Sequence, residues 1–484
     1  MKEEPLKFNK NIHSSLTNVE SFNKEKAFVV VNSKSPINNC IASVSRNTER
    51  EFICKIYIEN LLPNQYKQDM ESLGIEEDIL LKRNDDFFLI NNRTISEGTI
   101  SLSSPQILSL KLTHFQLNIN EKFDNKFHRL IIPIKNELQF GNFESHSLKI
   151  GTTTMACGLV QIKIDEKEFH LFKYKNSDTG KKYLFIDCIN KSDFTEFKTN
   201  SNAIINAFSY MSGNLYLDEY YYVTFVELKD SEYNQVESIS YEKKGKSILS
   251  NKPLLDRFEF IQYINHIDRK DIFNIITPHM TTTDFSNLCR VVKTNETYLR
   301  CCRLIIEGNE CKQRLLKAGI FSIALETITN LIYEENISKI DSITDKDIAR
   351  EIKNKFSIII DEYNSNISKY GLQILKSKIN DIDKPTNSKK LSKPFEIYGI
   401  ELTKEDIEIL SHRNKFLHGT SPYNDEELKE KEYDLIYIIT RLELMINSLM
   451  LKYIGYKGHI INNPALLQIN SKKEVTEPPF KLLL

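Results

Sequence analysis

The sequence predicts an α+β protein: a β-rich N-terminal domain over residues 1–250, followed by an all-α C-terminal helical bundle. Three observations predict it. In the first half, apolar residues recur at every second position, the period of a half-buried strand. In the second half they recur every third or fourth position, the period of a helix face. Between the halves lies KDSEYNQVESISYEKKGKSILSNKP (229–253), polar enough to read as a linker or extended loop. At 484 residues the chain exceeds one typical core. The helical half divides into a connector over 251–309, a bundle over 310–460 and a tail over 461–484.

The elements follow in order. EFICKIYIE (51–59) sets Phe52, Cys54, Ile56 and Ile58 on one face of a strand. LSLKLTHFQLNI (108–119) places apolar residues at even positions up to Leu112 and at odd ones from Phe115, a phase change that predicts a bulge near Thr113–His114. EFHLFKYKNSDTGKKYLFIDC (168–188) predicts a hairpin whose loop ends in Gly180. One helix is predicted over 194–213, stopped by Gly213, and YLDEYYYVTFVEL (216–228) closes the strand-rich region. A strand there would bury alternate rings of Tyr220, Tyr221 and Tyr222, with base or sugar stacking as the functional alternative. Over 345–380, Ile348, Ile352, Phe356, Ile359, Tyr363 and Ile367 keep helical spacing. DIDKPTNSKKLSKPFEIYG (381–399), with Pro385 and Pro394, reads as a basic loop. Leu435, Ile438, Leu442, Ile446, Leu449 and Tyr453 mark the last long helix. Arg441, Glu443 and Lys452 interrupt it, so it reads as a buried helix and not a membrane span. The closing SKKEVTEPPFKLLL reads as a tail, ordered only if something docks its apolar end.

Composition narrows the function. With 40% hydrophobic and 27% charged residues the chain reads as a soluble globular protein. A net charge of −1 argues against a broad electrostatic grip on DNA and leaves a local basic pocket open. The start, MKEEPLKFNK, carries no apolar signal segment, and the eight cysteines show no CxxC spacing. The expectation is free thiols, a cytoplasmic location and no membrane. Cys289, Cys301, Cys302 and Cys311 fit no zinc spacing, and His266 and His279 stand alone, so no metal is expected. There is no P-loop, GxGxxG, GxSxG or HExxH, which argues against nucleotide hydrolysis and against a cofactor.

The chemistry that remains sits in LTKEDIEILSHRNKFLHG (402–419). Thr403 can N-cap a helix, Glu405 and Asp406 fall in its first turn, Gly419 stands at the C′ position and Pro422 follows, so the helix ends at His418. An imidazolium is favoured at a helix C-terminus, which predicts a raised pKa for His418. Asn414 and His418 are four apart and share a face. Arg413 lies about 140° from His418 on the helical wheel and must curl round to meet it. Asn414 extends the apolar line Ile407–Leu410–Leu417, where an amide needs a buried partner or a facing subunit. His412 is a further candidate base, although as a helical neighbour it points elsewhere. This group suits RNA cleavage through the substrate's own 2′-hydroxyl: histidine moves protons, arginine clamps phosphate, and asparagine orients one of them. One histidine serves one of two proton transfers, so a symmetric dimer is expected. A C-terminal His-Gly cap beside a surface arginine is the plainer alternative. KKLSKP (389–394) lines the RNA path or is a solvated loop.

Arg413, Asn414 and His418, followed by Gly419, resemble the Arg-Asn-x-x-x-His signature of HEPN ribonucleases, in a helical setting over about residues 310–460. A long β-rich half followed by such a domain is similar to the ApeA-like anti-phage defence proteins. The resemblance implies a four-helix-type nuclease domain that works as a dimer or higher oligomer without metal and leaves a 2′,3′-cyclic phosphate. It also implies RNA as substrate, tRNA being a frequent target, abortive infection as outcome, and an N-terminal half that senses a phage-derived trigger. On an early helix of such a domain, GIFSIALETITNLIY (319–333), Ser322, Glu326, Thr329, Asn330 and Tyr333 form a polar stripe. There Glu326 could orient Arg413, against the alternative of a solvated face. The competing function class is a non-catalytic binding or dimerisation module coupled to a ligand-recognition domain.

Overall fold

The computed structural model describes residues 12–484, except 32–36, 59–77, 102–105, 119–124, 136–139, 151–152, 177, 227, 230–231, 234–235, 256–258, 278–279, 422, 425–426 and 428–430. The large antiparallel sheet of the N-terminal half and the helices of the C-terminal half give the α+β layout the sequence predicts. Contacts divide the chain into two compact units. The first comprises residues up to Ile205, Leu215–Ile248 and Thr281–Arg290; the second comprises Asn206–Asn214, Leu249–Met280 and Val291–Leu484.

In the first unit, fifteen strands form one sheet. Its order runs from His146–Ile150 through Thr153–Ile164, Lys167–Lys175, Lys182–Cys188, Phe127–Ile134, Tyr220–Phe225, Val236–Glu242 and His114–Leu117. It continues through Asp86–Ile90, Ile79–Arg83, Lys26–Val30, Ile41–Arg46, Phe52–Ile58 and Gln106–Leu112 to Ile95–Ser101. Alternation fixes the register: Phe52, Cys54, Ile56 and Ile58 are buried while Lys55 between them is exposed. The predicted bulge at Thr113–His114 is instead a break between two strands. Gln106–Leu112 pairs with Phe52–Ile58, whereas His114–Leu117 pairs with Val236–Glu242 and Asp86–Ile90. Thr113 turns the chain, its N–H and hydroxyl both donating to the Thr94 carbonyl at 3.0 and 2.7 Å. The two strands hold the fourteenth and eighth places in the order, so that part of the sheet curls round to meet itself. Phe52, Phe88, Phe115 and Tyr241 fill the curl, with Phe115 stacked 4.6 Å from Phe88 and 4.9 Å from Tyr241. Each such burial contributes about 1.5–3 kcal/mol.

The supposed linker is a second correction. Val236–Glu242 is an inner strand, with Ile239 and Tyr241 buried on one face and Ser238 and Ser240 on the other. Its polarity misled because small serines fill a covered face. For the same reason all three rings of Tyr220, Tyr221 and Tyr222 are buried, not alternate ones. Tyr221 packs 5.2 Å from Tyr241, while Tyr222 packs 5.8 Å from Phe194. Two helices lie in this part of the sequence: α1 (Ile12–Ser21) and α2 (Phe194–Ser212), the latter counted with the second unit from Asn206 on and stopped by Gly213 at φ 69° as predicted. The predicted hairpin is present, with Gly180 at φ 66°.

The helices that follow are α3 (Arg269–Ile276), α4 (Thr282–Thr294), α5 (Glu296–Glu310), α6 (Arg314–Glu335), α7 (Ile337–Ile340), α8 (Lys346–Glu362) and α9 (Lys369–Asn380). After them come α10 (Asn387–Ile397), α11 (Lys404–Leu417), α12 (Glu432–Tyr453) and α13 (Asn463–Asn470). In the second unit α6 is the hub, packed on α5, α10, α11 and α12. It is long and apolar enough to cross a membrane, yet much of that apolar surface is buried inside the unit, as in a core helix. Close approach is built in: a Cβ on Gly308 of α5 would stand 2.6 Å from a ring carbon of Phe321 on α6. Cys301 and Cys302 are core residues beside them, as expected, and Cys289 on α4 is buried too.

Two further readings change. The basic loop over 381–399 contains α10, capped by Thr386 and anchored by buried Leu391 and Phe395 one turn apart, with Pro394 inside it. The helical pattern over 345–380 is a hairpin, broken by the turn Asn364–Asn366 and restarted by the Ser368 cap. The end of the chain is docked: Phe480–Leu483 pairs with Gly458–Ile461, and Phe480 and Leu483 are buried.

Candidate functional site

Helix α11 carries the motif, and its ends form as the sequence predicts. Thr403 Oγ1 accepts from the Asp406 N–H at 3.1 Å while Asp406 Oδ2 accepts from the Thr403 N–H at 2.9 Å, a reciprocal capping box that contributes about 1 kcal/mol. At the other end His418 is the C-cap and Gly419 takes φ 70°. The N–H groups of Gly419 and Thr420 donate to the carbonyls of Phe416 (3.0 Å) and Lys415 (2.8 Å). This Schellman arrangement fixes the last turn. Pro422 lies outside the described residues.

Asp406 has a second task. Arg441 of α12, itself buried, donates from Nε to Asp406 Oδ1 at 2.6 Å and from Nη2 to Glu477 Oε1 at 2.6 Å. Burial pushes the Asp406 carboxyl up, but Arg441 and the Thr403 donors outweigh it and hold the group below the usual carboxylate range. Glu477 is likewise pushed up by burial and held below its ordinary value by Arg441. One ion network thus ties the start of α11 to α12 and to the segment before the final strand.

The face of α11 turned inward is Asp406, Ile409, Leu410, Arg413 and Phe416. The apolar line drawn through Ile407 is therefore the wrong seam: Ile407 is 57% exposed, and Asn414 is exposed as well, its amide oxygen reaching in to the buried Arg413. The inner line is set by α6, whose Gly319 lets the Phe416 carbonyl approach to 3.4 Å of where a Cβ would be. Arg413 is only 6% exposed. Its guanidinium lies between α11 and α6: Nη2 donates to Asn414 Oδ1 at 2.7 Å, and Nη1 lies 3.4 Å from Glu326 Oε1 of α6. Its Nε is buried without a hydrogen-bond acceptor among the described residues. His418 is exposed one turn beyond Asn414. The structure thus brings Arg413, Asn414 and Glu326 into one cluster, and His418, whose backbone N–H donates to the Asn414 carbonyl at 3.2 Å, caps the same helix one turn further on. Of the stripe around Glu326, Ser322 and Thr329 are buried and bond the carbonyls of Ala318 and Leu325 at 2.8 Å each, so the stripe is not one solvated face.

His412 points elsewhere, as expected. It lies 3.8 Å from Glu408 and borders a cavity of about 370 Å³, lined also by Glu405, Tyr423, Tyr433, Tyr437 and Lys473. That cavity was missed from sequence, although Glu405, Glu408 and His412 fall at helical spacing, as do Tyr433 and Tyr437. A second missed group is Glu443 of α12, fully buried. It accepts from the side-chain amides of Asn309 (2.7 Å), Asn463 (3.0 Å) and Asn251 (3.4 Å), and burial pushes its carboxyl above the ordinary range. Nothing in the local pattern marks it, because its partners come from three distant segments. Lys390 of the basic run lies over the Tyr333 ring at 4.6 Å, and Lys393 pairs with Glu396 at 2.5 Å. His266 closes a 3-10 turn, His279 lies outside the described residues, and no cluster of three metal-ligating side chains occurs among the described residues. Compared with protein-family models, curated proteins and solved structures, the chain matches none.

Proposed function

We propose that the chain is a metal-independent endoribonuclease of the HEPN type, acting at the capped C-terminus of α11. The observation that carries this reading is the 2.7 Å bond from Arg413 to Asn414, one turn before an exposed His418. In the reaction His418 takes the proton of a ribose 2′-hydroxyl, or gives one to the departing 5′-oxygen. The 2′-oxygen attacks phosphorus, the bond to the 5′-oxygen breaks, and a 2′,3′-cyclic phosphate remains. Arg413 clamps the phosphate, and Asn414, which accepts from its Nη2, orients the guanidinium. Glu326, with its side chain 41% exposed, is positioned to orient Arg413. A second copy supplies the second histidine. The cellular reading is a cytoplasmic abortive-infection nuclease of the ApeA-like kind, cutting tRNA when the sheet-bearing half senses a phage-derived trigger.

The test is cleavage of total tRNA in EDTA by the full chain. His418→Ala should lower the rate at least 10²-fold, the usual weight of a general acid–base, and a 2′-deoxy substitution at the cut nucleotide should block it. Cleavage by His418→Ala at the wild-type rate refutes the reading.

A second reading is favoured by the burial of Arg413: a guanidinium only 6% exposed and paired to Glu326 can serve as a packing element of a binding or dimerisation module. Arg413→Lys separates the two. Lysine keeps the charge and loses the fork, so a module keeps its partner binding while a nuclease loses activity.

A further inference from the structure

The stripe Ile348, Ile352, Phe356 and Ile359 spans an arc of only about 80° on α8, and Tyr363 follows as its C-cap. Such a stripe ordinarily faces a core. Here it faces outward: Ile348 is 51% exposed, Phe356 44%, Ile359 49% and Tyr363 58%, and α9 adds Tyr370 at 74% and Ile374 at 40%. Within the two helices only Ala349 and Ile379 are buried. At roughly half of about 200 Å² each, these six side chains leave on the order of 600 Å² of surface open. That stands at the upper end of the largest patch of a typical monomer, about 300–600 Å², and is the larger part of the about 800 Å² per partner of a stable interface.

The charges say what kind of partner fits. On α8 four basic side chains (Lys346, Arg350, Lys353, Lys355) are interspersed with four acidic ones (Asp347, Glu351, Asp361, Glu362), while α9 adds Lys369, Lys376 and Lys378. A nucleic acid selects a surface of one sign, whereas alternating signs around an apolar stripe are self-complementary under a two-fold axis. The α7 side of α8, where Ala349 is buried, is covered; the exposed stripe is not, and a second hairpin against it completes a four-helix bundle. We propose that a second copy of this chain covers the stripe, the two α8–α9 hairpins forming a four-helix interface. The inference stands on the hairpin and not on the chemistry of His418.

Sedimentation of the full chain at micromolar concentration reads it directly. The wild type and His418→Ala should both sediment as dimers. The triple variant Ile348→Glu, Phe356→Glu, Ile359→Glu should sediment as a monomer, with dimer dissociation raised at least 100-fold and the far-ultraviolet circular dichroism unchanged. Should the triple variant misfold, Tyr370→Asp, at the most exposed of these positions, should weaken the dimer at least tenfold. A monomeric wild type overturns the proposal, as does a folded triple variant that remains dimeric. Dimers without RNA cleavage would refute the nuclease reading alone.

Discussion

Single side chains set how this molecule responds to pH. His128, buried in the sheet, bonds Thr224 through Nδ1 and the Ser192 carbonyl through Nε2, each at 3.1 Å, and burial lowers its pKa to about 4. The unfolded ring protonates near 6.5. Its contribution is therefore complete above pH 6.5 and is lost as pH falls toward 4, a change of roughly 3 kcal/mol. Urea unfolding of the wild type against His128→Gln should show that difference, and parallel pH profiles would refute it. In the same sheet the buried Arg129 and Asp187, opposite each other on paired strands, form a bidentate ion pair at 2.6 and 2.7 Å. Such pairs were invisible in the sequence, because register across distant strands decides them. The residues of the motif were legible because their caps are local chemistry. What sequence missed was which way Arg413 turns, since the buried face of α11 is chosen by α6 and not by its own apolar spacing.

At the scale of elements, ends were read better than interiors. Thr403, Gly419 and Gly213 placed helix boundaries correctly because a cap is decided within a few residues. Pro394 and the serines of Val236–Glu242 misled because packing overrides local propensity. The Schellman turn is a sensitive point. Gly419→Ala forces a left-handed alanine, costing about 1 kcal/mol in thermal unfolding, and on the nuclease reading it lowers cleavage by loosening the His418 ring. The α5–α6 crossing is tighter still. Gly308→Val places branched carbon against Phe321, which has no room to withdraw, and should cost about 1–3 kcal/mol. A wild-type melting temperature in that variant would show the crossing to be pliable.

For the whole molecule, α+β layering was legible from the two periodicities, whereas the ion network that closes the helical unit was not. Arg441→Leu leaves Asp406 buried without its cation and should cost about 3–5 kcal/mol by chemical denaturation. Because Asp406 and Glu477 are held below their ordinary values, the network contributes fully above about pH 4 and fails as pH falls through their folded values. The variant should therefore lose the acid-sensitive part of the wild-type profile. The sequence-defined block 310–460 omits Glu477, Asn251, Asn309 and Asn463, the partners of Arg441 and Glu443. It also omits Tyr210, which donates to Asn447 at 2.9 Å. The helical unit is assembled from three separate stretches of chain. Dissection by truncation will therefore yield an insoluble piece rather than a minimal enzyme, and an inactive fragment would say nothing about His418. Point substitution in the intact polypeptide is the route this connectivity leaves open.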